Sequence, residues 1–326
     1  MSGVSDSFAR PINYLRISIT DRCNLRCVYC MPPEGIRLLP KKEMLSFEEI
    51  VAIVRAAADL GISKVRITGG EPLVRTGVVG FIGLLSQISG IDDLSLTTNG
   101  LLLGRQAEAL RRVGLNRVNV SLDTLRPDRF RTITRGGNLT DVLAGIEKAQ
   151  EVGLSPLKLN MVVMRGVNDD ELLDFARLTM ERDWHVRFIE MMPVGQRGYN
   201  GDYISSREVK ERLSSLGGLV PQGVRIGNGP AKYYRLPEAL GTIGFITPIS
   251  ECFCAECNRL RLTAEGGLRP CLLASNEVDL RTPLRNGASL DELRSIIRQA
   301  IFAKPAQHHL AEDVIPVDKR MSQIGG

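Results

Sequence analysis

The chain has 326 residues, enough for one large domain or two smaller ones, with the 43% hydrophobic and 24% charged content of an ordinary globular protein. No apolar run approaches the roughly 20 residues of a membrane span. The polar Met1–Arg10 segment lacks a secretory signal, which points to the cytoplasm. The mild net charge of +5 fits an anionic small substrate or weak nucleic-acid contact without choosing between them, while 5% aromatics and scattered Lys/Arg argue against a dedicated nucleic-acid platform.

Up to about residue 200, short β-branched runs alternate with helical patterns, the signature of β-α units on a parallel sheet. The predicted strands are Tyr14–Thr20, Lys64–Thr68, Asp93–Thr98, Arg117–Leu122, Leu157–Met164 and Val186–Met191. Ser46 and Glu49 form a capping box that opens a helix with Phe47, Ile50, Val51, Val54 and Ala58 on one face, and Gly61 marks its stop. Further helical segments lie at Ser86–Ile88, Gln106–Val113, Asp141–Val152 and Asp170–Met180. These units fall short of the eight of a closed barrel, so an open partial barrel and a doubly wound sheet both satisfy the pattern. The Gly-rich stretch from Pro193 to Tyr203 marks a boundary, placing domains at 1–195 and 196–326. The second reads as a smaller α+β region: a helix near Ser206–Leu216, strands near Tyr233–Leu236 and Thr242–Ile246, a Cys-rich loop, and a helix near Leu290–Phe302.

Seven cysteines, an odd number bunched in two places, suit metal ligation in a reducing compartment better than disulfides. Cys23, Cys27 and Cys30 form C-x3-C-x2-C directly after the first strand, where parallel β/α architectures collect ligands. Zinc sites usually close a tetrahedral set with paired Cys and His, and no His lies near this loop. Three thiolates would leave one iron of a four-iron cluster open to a small molecule. The second strand ends in Gly69-Gly70-Glu71-Pro72, whose glycines permit close backbone approach and whose Glu71 offers an acceptor. In the second half, Cys252, Cys254, Cys257 and Cys271 suit either zinc or an iron–sulfur cluster by spacing alone.

The C-x3-C-x2-C loop with Tyr29, followed by Gly-Gly-Glu-Pro, resembles the radical S-adenosylmethionine superfamily. The resemblance implies a partial (β/α)6 barrel carrying a [4Fe-4S] cluster on Cys23, Cys27 and Cys30. S-adenosylmethionine would bind at the free iron and be split to a 5′-deoxyadenosyl radical. The segment Phe253–Arg261 and the terminal Gly325-Gly326 narrow the likeness to the GTP 3′,8-cyclase family of molybdenum-cofactor biosynthesis.

That likeness implies a second [4Fe-4S] cluster on Cys254, Cys257 and Cys271; Cys252 departs from its pattern and is either a ligand to the fourth iron or a bystander, the second being favoured. It implies GTP bound by Arg16, Arg66, Thr97, Lys158, Arg259 and Arg261, and S-adenosylmethionine contacted by Tyr29, Gly70, Ser121 and Met192. Arg259, Arg261, Gly325 and Gly326 would take part in catalysis. The radical would take hydrogen from C3′ of GTP, the carbon radical would attack C8, and an electron and a proton would quench the product. An electron donor of flavodoxin or ferredoxin type, a downstream cyclic pyranopterin monophosphate synthase and a homodimer are further expectations. No P-loop is present, so side-chain cations, Arg above all, must grip a triphosphate. His185, His308 and His309 read as structural or tail residues. Two competing readings are a radical peptide-modifying enzyme and a zinc-stabilised RNA-binding protein.

Overall fold

The computed structural model describes residues 3–192, 194, 203–223, 229–308 and 319–325. Six strands, β1 (Tyr14–Ser18), β2 (Lys64–Thr68), β3 (Asp93–Thr98), β4 (Arg117–Ser121), β5 (Lys158–Val163) and β6 (His185–Glu190), lie side by side in chain order, all parallel. Helices α1 (Phe47–Ala58), α2 (Val78–Ser86), α3 (Leu103–Arg112), α4 (Pro127–Thr134), α5 (Leu139–Glu151) and α6 (Leu172–Glu181) make the crossovers. The capping box at α1 is present: Ser46 N donates to Glu49 Oε2 at 2.6 Å and Glu49 N to Ser46 Oγ at 3.1 Å. The segment beginning at Ser86 is not a helix start, because Ser86 ends α2. The expected helices omit α4, whose signal is the Pro at its first position.

The second half does not stand apart as its own sheet. Helix α7 (Ser206–Leu213) leads to β7 (Val220–Pro221), β8 (Lys232–Arg235) and β9 (Thr242–Ile246), and β9 pairs in parallel with β6. Strands β10 (Arg259–Leu262), β11 (Gly267–Arg269) and β12 (Val278–Asp279) continue the opposite edge, with β10 parallel to β1. The result is one 12-stranded sheet in the order β12-β11-β10-β1-β2-β3-β4-β5-β6-β9-β8-β7. Helices α8 (Arg281–Arg285), α9 (Leu290–Phe302) and α10 (Met321–Ile324) complete the chain. Most of the stretch from Pro193 to Tyr203 lies outside the described residues.

Polarity explains how the sheet is used. On β2 to β6, Val65, Ile67, Leu94, Leu96, Val118, Val120, Leu159, Met161, Val186 and Phe188 are buried in the apolar core that includes the helices. The alternate positions are polar: Arg66, Ser95, Asn119, Lys158 and Arg187, all nearly fully buried. A parallel sheet packed on both faces would read as continuous apolar runs; this one has an apolar outside and a polar inside. Laid flat, β10 and β9 would stand seven strand spacings apart, roughly 34 Å. Yet Arg261 of β10 and Ile246 of β9 line the same cavity, so the sheet curls into a partial barrel. Among the described residues no helix is long and apolar enough to cross a membrane.

Candidate active site

The barrel interior opens into a cavity of about 280 Å³ whose wall carries both cysteine sets: Cys23, Cys27 and Cys30 on one side, Cys254, Cys257 and Cys271 on another. More than 200 residues separate the two sets in sequence. They meet because β10 pairs with β1: the loop after β1 carries the first three thiols, and Cys257 lies two residues before β10.

The first loop is held by the turn after β2. Gly70 N donates to Thr20 O at 2.7 Å and Glu71 N to Arg22 O at 2.8 Å. A Cβ on Gly70 would overlap the Arg22 carbonyl, so only glycine lets the two loops lie together. Glu71 corrects an expectation, since it is not among the cavity-lining residues. It accepts from Leu73 N at 3.0 Å, Thr98 Oγ1 at 2.8 Å and Asn99 N at 2.7 Å, tying the β2 turn to the end of β3. Burial pushes its carboxyl up from 4.5 to about 7 against these donors. Such a group stabilises the fold fully below its unfolded value, and that contribution is lost as pH rises toward 7. The stability of the native chain relative to Glu71→Gln should therefore fall across the window from pH 4.5 to 7, with a slope of about 1.4 kcal/mol for each step of one in pH, read from urea midpoints. A flat difference would count against it. Tyr29 donates from its hydroxyl to Asp123 Oδ2 at 2.7 Å, and Val162 N donates to Asp123 Oδ1 at 2.9 Å. Tyr29, Gly70, Ser121, Asp123 and Met192 all line the cavity. Burial pushes the Cys23 thiol up to about 11 and raises Cys27 and Cys30 as well.

In the second set, burial raises the Cys257 thiol, but Arg259 and Lys304 outweigh it and bring it down to about 6. Arg259 Nη2 donates to the Cys257 sulfur at 3.6 Å. The Lys304 ammonium donates to Arg259 O at 2.9 Å and Pro270 O at 2.5 Å, clamping the strand after Cys257 to the turn before Cys271. Burial pushes Cys254 up to about 12.

The inward face of the sheet also carries a layer of cations. Register places Arg261, Arg16, Arg66, Ser95 and Arg117 in one row, and Arg187 with Asn160 and Ser121 in another. Burial lowers Arg16, Arg66 (to about 10), Arg261 (to about 9) and Arg187, with neighbouring cations adding to the effect in each. Arg16, Arg66, Thr97, Arg259 and Arg261 line the cavity as expected. Lys158 does not: it is 1% exposed, two residues short of the wall residue Asn160, and burial then Arg187 lower it to about 5. Arg187 and Asn160, which no motif singles out, are on the wall, and Arg187 Nη2 donates to Asn119 Oδ1 at 2.8 Å. Their signal in the sequence is the same polar alternation that places Arg66.

The chain's end enters this layer. Gly325 takes a left-handed φ of +72° and its carbonyl accepts a hydrogen bond from Arg261. Ile324 packs with Val194 and Leu273, while Met321 and Ser322 line the cavity. Gly326 and His309 lie outside the described residues. His185 is structural, its Nδ1 2.8 Å from Thr242 Oγ1 and its pKa lowered to about 4 by burial. His308 differs from expectation, since it lines the cavity.

Comparison with known proteins decides among the readings. Residues 17–179 match the Radical SAM superfamily and residues 184–310 match Molybdenum Cofactor Synthesis C. A GTP 3′,8-cyclase of Pelotomaculum thermopropionicum is 56% identical over 99% of this chain and 100% of its own length. One from Desulforamulus reducens is 57% identical over 98% and 99%. The chain belongs to the GTP 3′,8-cyclase family. Streptococcus suis SuiB bound to S-adenosylmethionine shares the fold, with a TM-score of 0.60 at 17% identity over 88% of this chain and 68% of that one.

The cofactors of this family member are [4Fe-4S] clusters and S-adenosylmethionine, and the donor sets fit them. A single zinc ion at about 2.3 Å from each sulfur draws thiolates to about 3.8 Å of one another. Among the described residues neither cavity-lining set has its three Sγ atoms mutually within 4.8 Å. That spread suits a cluster with several irons between the sulfurs rather than one ion. The peptide-modifying and RNA-binding readings lose their ground to a family match that spans the chain.

Proposed function

We propose that this chain is a GTP 3′,8-cyclase, converting GTP to (8S)-3′,8-cyclo-7,8-dihydroguanosine 5′-triphosphate, the first step of molybdenum-cofactor biosynthesis. The observation that carries the reading is the pair of cysteine sets facing one cation-lined cavity in a member of that family. Cys23, Cys27 and Cys30 hold one cluster, and Cys254, Cys257 and Cys271 the other. When bound, these groups supply a 5′-deoxyadenosyl radical at the first set and an electron and a purine-binding iron at the second.

The chain's own residues do the positioning. Tyr29, Gly70, Ser121 and Met192 form the wall around the cofactor, with Tyr29 held by Asp123. Arg16, Arg66, Arg187, Arg259 and Arg261, with Thr97, grip the nucleotide; forked guanidiniums in a buried layer offer a triphosphate charge-assisted bonds that water does not compete for. Lys158 acts from one layer deeper. Gly325 turns its carbonyl to Arg261, and the catalytic role of the Gly325-Gly326 pair belongs to this reading. In this reading residues 1–195 supply the cofactor unit and 196–326 the second cluster. We place the enzyme in the cytoplasm, as a homodimer served by a flavodoxin- or ferredoxin-type donor and followed by a cyclic pyranopterin monophosphate synthase.

Reconstituted protein with dithionite, S-adenosylmethionine and GTP under anaerobic conditions should form both 5′-deoxyadenosine and the cyclised nucleotide; failure to form both would sink the assignment. A second expectation concerns charge. A triphosphate near Lys158 raises its depressed pKa, so GTP binding at pH 7 should draw a proton from solution. Calorimetry in two buffers of different ionisation enthalpy should give different heats, and Lys158→Met should lower the number of protons taken up.

A further inference from the structure

Six of the seven cysteines fall into the two cavity-lining sets, and Cys252 is left over. It is exposed and lies outside the cavity wall. Even so, the Cys252 sulfur, the Cys254 sulfur and a ring nitrogen of His308 all lie within 4.8 Å of one another. The backbone builds this: Cys254 N donates to the Cys252 sulfur at 3.4 Å, folding the C-x-C segment back on itself. His308 Nε2 lies 2.9 Å from Pro248 O. A carbonyl only accepts, so Nε2 carries the proton and the ring's lone pair is on Nδ1. An outer-shell carbonyl on the second ring nitrogen is the usual way a metal-bound imidazole is oriented.

We infer that Cys252, Cys254 and His308 form a mononuclear site for a thiophilic divalent ion of the zinc class. Two thiolates and one imidazole make three of four tetrahedral ligands, and water completes the set. Binding displaces the thiol protons to solvent and changes no oxidation state. Cys254 belongs to both this site and the second cluster set, so the ion and that cluster exclude each other. The ion-bound form is a state in which the second cluster cannot assemble, and loss of the ion returns Cys254 to it. The exclusion rests on Cys254 serving a cluster; the ion site itself does not.

The test uses the full chain with Cys23, Cys27 and Cys30 changed to Ser, reduced, stripped with chelator and kept anaerobic. Titration with Co²⁺ alone should give one equivalent with tetrahedral and thiolate charge-transfer absorption, displaced by Zn²⁺. Loss of an outer-shell partner already costs roughly tenfold in affinity, so Cys252→Ser and His308→Ala should each cost more than that, while Cys257→Ser should cost little. Affinity that depends on Cys257 or Cys271 and ignores Cys252 and His308 would overturn the site. In the same chain, one equivalent of Zn²⁺ added before iron and sulfide should cut reconstitution from about four irons to near none. With Cys252→Ser added, about four irons should assemble with or without zinc, and equal inhibition in both chains would overturn the exclusion. If no cluster assembles even without zinc, the reading of the second set fails while the cobalt result stands. In the otherwise native chain, Cys252→Ser should leave cyclisation unchanged.

Discussion

Cys257→Ala is expected to leave a protein that still cleaves S-adenosylmethionine but no longer cyclises GTP. The first cysteine set is untouched by the change, so iron should fall from about eight to about four per chain and 5′-deoxyadenosine should still form. Cyclised nucleotide should fall by more than about 100-fold, the scale that misplacing a reacting group costs. Cys257 is the sharpest choice of the three because no other sulfur can take its place: Cys252 sits beside Cys254, whereas Cys257 faces Arg259 and Lys304. The thiolate faces both cations, and removing it leaves the half-buried Arg259 and the buried Lys304 with less opposing charge. Iron analysis and chromatography of both products decide the matter. Full cyclisation with four irons would refute a catalytic role for the second set.

Gly325→Ala should be almost as damaging although it removes no functional group. Its φ of +72° carries a penalty of roughly 1–2 kcal/mol for any residue with a Cβ. An added Cβ would also overlap the Thr68 hydroxyl and approach Ser18 Cβ to 3.3 Å. The tail must then retreat, and Arg261 loses the carbonyl that accepts from it. The expected result is a loss of kcat of about 100-fold with both clusters present, since the change lies outside the cysteine loops. A Gly325→Ala enzyme with unchanged kcat would show that the tail position does not matter. Arg261→Lys offers a companion measurement: it keeps the charge but loses the fork, and should raise the KM for GTP about tenfold.

Much of this site is legible along the chain because its parts are local. A thiol spacing, a Gly-Gly turn after a strand, and a capping box at Ser46 are short-range patterns whose chemistry depends on neighbours within a few residues. The cation layer is half legible. Arg16 and Arg66 stand out beside their motifs, but Arg187 and Asn160 occupy the same alternating positions on β5 and β6 with no motif next to them. Period-2 polarity in strands that a two-sided parallel sheet would make uniformly apolar is the signal for them.

Other features depend on placement that no local pattern encodes. Glu71 looks like a ligand-facing acceptor in sequence, yet the β3 end supplies donors that turn it into a structural clasp. Lys158 sits on an inward position, but the depth of the wall at β5 leaves it one layer below the cavity. His308 reads as a tail residue, and only the fold sets it beside Cys252 and Cys254.

The sequence by itself determined the supply of ligands: two groups of thiols, a family likeness, and arginines for an anion. The tertiary structure decided that these face one another. Strand β10 pairs with β1 across more than 240 residues, and the sheet curls so that β10 and β9 share a cavity. Register and curvature come from hydrogen bonds and packing between distant segments, and those long-range pairings are what turn separate motifs into one reaction chamber.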